Sequence, residues 1–397
     1  MILETLTKRY NQIEKLQRHE YQRYFSNVVD FSDKMVGILG SRGVGKTTYI
    51  LQYLKALDIP RHKKLYFSAD SISLSNHSLY EIAEEFSKIG GEVLAIDEIH
   101  KYPNFATELK SIYDTFDLKV IFSGSSAVAL ENSKVDLSRR AVLYRVNGLS
   151  FREFLEFETG EKFASYSLEE ILENHVQLAY ELNERVKPFA YFSKYLEYGY
   201  YPFYKQNINL YPQKLGEILN IVLESDLPLI FKIDTSNINK LKKLLAMLCQ
   251  SKPYELNISK LSQKIELNRA TLYNYLAYLE AGHLTKMIRQ HSKGDTIFTK
   301  PEKLYLNNTN LSFSYCDNKD KGVIREIFFT NQLSQTHTIH YSKIGDFLVD
   351  NKYIVEVGGK NKSYKQIKDI ENSFIVVDEI EIGRGNKIPL YLFGFLY

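Results

Sequence analysis

The strongest constraint on this chain lies between Lys34 and Leu57. The apolar run Met35-Val-Gly-Ile-Leu39 enters the loop Gly40-Ser41-Arg42-Gly43-Val44-Gly45-Lys46-Thr47-Thr48, and Tyr49 to Leu57 leaves it with the apolar spacing of a helix. Strand, G-x-x-x-x-G-K-T loop and helix, in that order, are the context in which such a loop cradles phosphate within an α/β sheet. Its glycines let backbone N–H groups close around phosphate oxygens, and the helix start adds a partial positive charge. Residues 40–48 are therefore the expected nucleotide-binding segment. Lys46 is expected to neutralise the outer phosphates, and the Thr47 hydroxyl to ligate Mg²⁺.

The following residues extend the sheet and supply acids. Residues 8–25 read as a polar leading helix, Lys64–Ser68 as the second strand, and Ser78 to Ile89 as a helix stopped by Gly90-Gly91. Val93-Leu-Ala-Ile96 then reads as a buried strand that delivers Asp97 and Glu98 at its C-terminal end. Asp97 is expected to hold Mg²⁺ through water, and Glu98 to orient and polarise an attacking water. Phosphoryl transfer depends on positioning and charge stabilisation, so one metal-side acid and one water-side acid suit it.

A helix through Leu109 and Ile112 to Phe116 precedes a further strand, Leu118 to Phe122, which ends in Ser123-Gly124-Ser125-Ser126. Open α/β sheets bind ligands at strand C-termini, so Ser123 is a candidate sensor of the water or the terminal phosphate. Arg139 and Arg140 precede another strand, and an arginine there is a candidate to face the γ-phosphate, within its own site or across a subunit boundary. An arginine used this way is worth roughly 10³ or more in rate.

The chain has 397 residues, long for one domain. Its net charge of +3 does not by itself point to nucleic acid. Cys249 and Cys316 are the only cysteines and lie far apart, so neither a disulfide framework nor a zinc cluster is expected. The N-terminus lacks an apolar signal core, and no apolar run reaches membrane-spanning length, so a reducing cytoplasm and no membrane partner are expected.

Beyond the loop domain, residues 150–235 carry helical patterns. Ile258 to Ile265, then Arg269 to Leu279, then a Gly282 stop read as helix, turn, helix. Gly322 to Leu333 reads as an amphipathic helix. Strands follow at Gly345–Val349 and Tyr353–Val357, then Gly358-Gly359-Lys360, a helix near Lys365–Ile370 and a strand at Ser373–Val377.

Several segments together resemble a broad bacterial and archaeal family of AAA+ related, STAND-like P-loop ATPases. They are Gly40 to Thr47, Asp97-Glu-Ile-His-Lys-Tyr-Pro-Asn-Phe105, Phe122-Ser-Gly-Ser-Ser126, Leu137-Ser-Arg-Arg-Ala141 and Gly148-Leu-Ser-Phe-Arg-Glu-Phe-Leu155. Gly199-Tyr-Tyr-Pro-Phe203 is similar to the family's Gly-Gly-x-Pro segment, with Tyr200 in place of the second glycine. Where the family has Gly before its arginine, Arg139 stands here, so Arg140 is the matching arginine.

The resemblance implies an α/β P-loop NTPase core over 1–149 and a helical lid over 150–235. It implies a winged helix over 236–300, with Met287 to Phe298 as its hairpin, and a restriction-endonuclease-like PD-(D/E)xK α/β domain over 301–397. The implied activity is Mg²⁺-dependent ATP hydrolysis that moves the C-terminal modules; the alternative is an ATP-gated DNA-binding or nuclease module. The implied partners are ATP, a protein client, DNA read through Arg269, Thr271, Tyr273 and Asn274, and further copies of the chain.

In the nuclease pattern, Glu326, Asp346, Glu356 and Lys360 would be the matching residues, although that pattern puts Lys two residues after Glu, where this chain has Gly358. Register bears on this set. A three-residue loop at 350–352 sets Asp346 opposite Glu356 on one side, whereas a two-residue turn at 351–352 sends Glu356 to the other face.

Overall fold

Five parallel strands organise the N-terminal part of the molecule: β1 (Met35–Leu39), β2 (Lys64–Ser68), β3 (Val93–Asp97), β4 (Lys119–Gly124) and β5 (Val142–Arg145). Their order is β2-β3-β4-β1-β5. The structure is a computed structural model that describes residues 2–16, 21–74, 76–124, 137, 139–250, 257–291, 301–317 and 319–397. It divides into two compact units, Met1–Gly148 and Leu149–Tyr397.

In the first unit every residue of β1 and β3 is buried. Parallel strands covered on both faces read as unbroken apolar runs, which is why these two were visible in sequence. Strand β4 lies between them, with Ile38 level with Ser123 and Ser68 level with Asp97. The loop after β1, the acids ending β3 and the serine of β4 therefore share one end of the sheet. The helices are α1 (Ile2–Leu16), α2 (Lys46–Ala56), α3 (Leu79–Lys88) and α4 (Phe105–Thr115). Ser78 and Glu81 form a reciprocal capping box that starts α3.

The leading helix differs from the 8–25 expected. It runs over 2–16 because Ile2, Leu6 and Tyr10 form a buried i, i+4, i+8 stripe that begins ahead of the polar stretch. Tyr24–Asn27 is a single 3₁₀ turn. Ser125 and Ser126 lie outside the described residues.

The second unit opens with helices α5 (Phe151–Thr159), α6 (Leu168–Arg185), α7 (Pro188–Lys194), α8 (Tyr211–Ile221), α9 (Leu227–Phe231) and α10 (Ile238–Gln250). Then come α11 (Ile258–Ile265), α12 (Arg269–Ala281) and the antiparallel pair β6 (Thr285–Ile288) and β7 (Lys303–Leu306). Helices α13 (Thr309–Tyr315) and α14 (Lys321–Leu333) lead to a sheet of order β12-β11-β10-β9-β8. Its strands are β8 (Ile339–Tyr341), β9 (Phe347–Val349), β10 (Tyr353–Gly358), β11 (Ser373–Val377) and β12 (Lys387–Pro389). Strands β8 to β10 are antiparallel, and β10 to β12 parallel. Asn310 is a buried polar node in this unit. It donates to the carbonyls of Tyr195 and Leu196, in a π turn, and accepts from the Tyr200 N–H.

Three expectations need correction here. The boundary placed at 300 falls inside a β pair, because β6 and β7 bond across it, and the Tyr341 N–H donates to the Arg289 carbonyl at 2.8 Å. Cys249 and Cys316 form a disulfide across the same boundary, 67 residues apart in sequence. Sequence distance does not limit such a bond, since the fold brings the two Cα atoms to 5.2 Å. The helix expected near 365–370 is only a 3₁₀ turn, Tyr364–Gln366, after which Ile367 is fully buried against Ile375 and Val377. Residues 292–298 of the expected wing lie outside the described residues.

Candidate active site

The loop between β1 and α2 is shaped by glycines with distinct tasks. Gly45 has φ 100° and is the left-handed N-cap of α2, a conformation that a side chain would strain. A Cβ on Gly40 would stand 2.2 Å from the Val146 carbonyl oxygen, so only glycine lets the loop leave β1 so close to that backbone. Lys46 is buried, and its ammonium donates to the carbonyls of Gly40 (3.0 Å) and Ser41 (2.9 Å).

Arg23 supports the loop from behind, a role the sequence reading did not assign. Its buried guanidinium donates to Val44 O (2.8 Å), Asn147 O (3.1 Å) and Gly148 O (2.8 Å). It also sits 4.7 Å from the Phe25 ring centre, a cation–π contact.

Asp97 is the hub. Thr47 Oγ1 donates to its Oδ2 at 2.6 Å, Tyr66 OH donates to the same oxygen at 2.9 Å, and Ser123 Oγ donates to Oδ1. The Glu98 N–H donates to Asp97 Oδ1 (3.1 Å) and to Ser123 Oγ (3.3 Å). Lys46, Thr47, Asp97, Glu98 and Ser123 thus belong to one cluster at the C-terminal ends of β1, β3 and β4. Tyr66 was missed. It lies two residues before the end of β2, and only the β2–β3 pairing carries its hydroxyl to Asp97. Burial, and then the charge of Asp97, push its hydroxyl pKa well above the ordinary tyrosine value, so it acts as a donor. Glu98 has φ 50°, and its Oε2 lies 3.0 Å from Arg42 Nη2 and 3.6 Å from His100 Nε2. The Thr47 hydroxyl and Asp97 carboxylate are hard oxygen donors, the set that suits Mg²⁺.

Arg140 stands elsewhere. Val142 pairs with Val36, so Arg140 sits beside the start of β1, roughly 20 Å along the strands from the loop at about 3.3 Å per residue. Its guanidinium makes a two-pronged ion pair with Asp114 at the end of α4, at 2.8 and 2.9 Å. The role within its own site is therefore corrected: an arginine side chain cannot span that distance.

The second candidate set converges only in part: Glu326 and Asp346 meet on Lys303, while Glu356 pairs elsewhere. Asp346 accepts from Lys303 Nζ (2.8 Å) and from the Val357 N–H (2.9 Å), and Glu326 accepts from Lys303 Nζ (3.1 Å) and from Tyr305 OH. Burial raises the pKa of Glu326 and the charge of Lys303 opposes that rise. Burial disfavours the charge on Lys303, yet Glu326 and then Asp346 hold its pKa above the ordinary value. Glu356 lies 2.7 Å from Lys362 instead.

The loop is the three-residue one, with Val349 opposite Tyr353, but regular pairing stops at Phe347, after Gly345 (φ 81°) has turned the chain. Val355 and Val357 share one face of β10, and Glu356 shares the other with Ile354, against the Ile367 cluster. Lys360 is exposed; the cation beside the acids is Lys303. Lys303 and Tyr305 were missed, although Lys-x-Tyr at i, i+2 in an apolar strand was a usable signal.

A parallel sheet in this order, with a glycine–lysine–threonine loop after β1 and an aspartate ending β3, defines a P-loop NTPase core. Residues 32–155 match the family model described as AAA domain, and residues 190–320 match a domain of unknown function (DUF8612). An uncharacterized protein of Methanocaldococcus jannaschii is 26% identical, over 98% of this chain and 91% of its own length. Among solved structures, the S. cerevisiae Hsp104–ADP complex aligns with 68% of this chain at 18% identity and a TM-score of 0.32. The chain spans only 41% of that Hsp104 chain. AMPPCP-bound DnaA from Aquifex aeolicus aligns with 62% of this chain and 81% of its own, at 14% identity and a TM-score of 0.23. Among the described residues no helix is long and apolar enough to cross a membrane.

Proposed function

We propose that the protein hydrolyses ATP at the β1–α2 loop. The observation that carries this reading is the Thr47–Asp97 hydrogen bond of 2.6 Å, which joins the phosphate loop to the acidic strand end. The loop amides and Lys46 bind the phosphates, and Thr47 and Asp97 would hold Mg²⁺. When bound, that ion supplies charge neutralisation across the phosphate oxygens. Glu98 orients the water that attacks the γ-phosphorus, and Ser123 positions Asp97 and the Glu98 backbone. Because Arg140 lies at the far end of its own sheet, its catalytic role is proposed in trans, from a neighbouring copy.

Hydrolysis by Lys46→Ala and Glu98→Gln proteins tests the assignment. Turnover is expected to fall to background in both, and unchanged turnover in both overturns it. Specific activity that rises with protein concentration, and is lost in Arg140→Ala, is the expected mark of the trans arginine. Activity independent of concentration would remove that role.

For the second unit we propose a conformational output of the ATPase, with a protein client. The order α11, α12, β6, β7 is that of a winged helix, and α14 with the β8–β12 sheet resembles the PD-(D/E)xK order except that a 3₁₀ turn stands where that order has a helix between β10 and β11. Nuclease chemistry is not proposed, because Lys303 already bridges Glu326 and Asp346, and Glu356 is paired apart from them. Arg269 is exposed at the first turn of α12, where DNA contact is the second reading. A low-salt gel shift tests it, and absence of binding there rejects it.

A further inference from the structure

Resting on the nucleotide-site reading above, we infer that Arg42 is a positioning residue that reports a bound γ-phosphate by exchanging Glu98 for it. Arg42 is a member of the phosphate loop itself, between Ser41 and Gly43, yet its side chain is turned to the acid of β3. Its Nη2 lies 3.0 Å from Glu98 Oε2, with both side chains mostly buried. The imidazole of His100, wholly shielded from solvent, stands 3.6 Å from that same oxygen.

A carboxylate oxygen held in this way has the guanidinium as its partner in place of an attacking water. The guanidinium is a planar fork that matches the oxygens of a phosphate as well as those of a carboxylate. A triphosphate seated in the loop brings more negative charge than Glu98 carries, together with terminal oxygens that a diphosphate lacks. Arg42 then turns to the γ-phosphate, and Glu98 is freed for water in the same event. Acid and substrate compete for one cation, so the water-activating group is exposed only when there is a phosphoryl group to transfer.

The consequence is a coupling that appears in binding. Triphosphate binding breaks the Arg42–Glu98 pair, and diphosphate binding does not. The experiment measures the affinities of the full-length chain for ADP and for a non-hydrolysable ATP analogue, both with Mg²⁺. It does so in the unsubstituted protein, Glu98→Gln, Arg42→Gln and the double variant, with Arg42→Lys as a second background that keeps the charge and loses the fork. Glu98→Gln is expected to favour the analogue over ADP by roughly 3- to 10-fold, the scale of a partly shielded ion pair. In the Arg42→Gln background the same change is expected to leave the ratio unmoved, and in Arg42→Lys to give a smaller response.

An equal response in the Arg42→Gln background would show that Glu98 acts by its charge alone and would overturn the exchange. No response in the unsubstituted background would also overturn it, while leaving the nucleotide site standing. If the unsubstituted protein bound neither nucleotide, the nucleotide-site reading would fall, and the exchange with it.

Discussion

Replacement of Lys303 by methionine isolates the buried charge cluster of the second unit. The Lys303 side chain is about 5% exposed, and its ammonium meets Glu326 at 3.1 Å and Asp346 at 2.8 Å. Met preserves most of the stem and leaves two shielded carboxylates facing each other. Removing one partner of a buried pair typically costs about 3–5 kcal/mol, because the remaining charge is uncompensated.

The deficit should depend on pH in a definite sense. Burial already holds the pKa of Glu326 above its ordinary value, and Lys303 is what opposes that rise. Without Lys303 the folded-state pKa moves further above the unfolded one. The stability linked to this group is then fully present below the unfolded pKa and is lost as pH rises through the folded pKa. Lys303→Met is therefore expected to lose little near pH 5 and about 3–5 kcal/mol near pH 8.

Urea unfolding at both pH values checks this, with deuterium pulse-labelling at one fixed pH reporting β7 and α14. A deficit below about 1 kcal/mol near pH 8, or one equal at both pH values, would refute the reasoning. Mg²⁺ is expected to add no stability to this unit in the unsubstituted protein, since the Lys303 ammonium already bonds both acids.

Three other outcomes follow from the geometry. Tyr66→Phe removes a donor from Asp97; a hydrogen bond to a charged group contributes about 1.5–3 kcal/mol, so the Mg²⁺ concentration for half-maximal ATP turnover is expected to rise at least about 10-fold. An unchanged Mg²⁺ dependence counts against Tyr66 as a support of that carboxylate. Arg23→Gln withdraws donors from three loop carbonyls; about 2–4 kcal/mol of first-unit stability and a weaker nucleotide affinity are expected losses, read by thermal melts with and without ADP. Reduction of the Cys249–Cys316 bond releases a constraint over 67 residues, and chain-entropy arithmetic gives about 4 kcal/mol from the second unit. Alkylation of both cysteines without prior reductant would show that the bond is not formed in solution.

Which parts of this protein could be read in advance depended on the range of the forces involved. Strands β1 and β3 were legible because a parallel strand buried on both faces must be apolar throughout. The loop was legible because phosphate binding requires glycine, lysine and threonine at fixed local spacing. Asp97 and Glu98 followed because a strand end is where such a sheet presents its chemistry. These are short-range requirements, written within a few residues of one another.

Tyr66, Arg23 and Lys303 were not legible in the same way. Each acts on a partner distant in sequence, and nothing local distinguishes a tyrosine that supports Asp97 from one that only fills a core. Arg140 could be noticed but not placed until the β1–β5 pairing measured its distance from the loop. The fold, not spacing in sequence, brings the two cysteines together and sets Glu356 beside Lys362. By itself the sequence determined the glycine–lysine–threonine loop, the acidic strand end and the class of sheet that joins them. Tertiary structure alone decided which buried charges meet, because pairing across a sheet or between packed helices depends on register and packing rather than on distance along the chain.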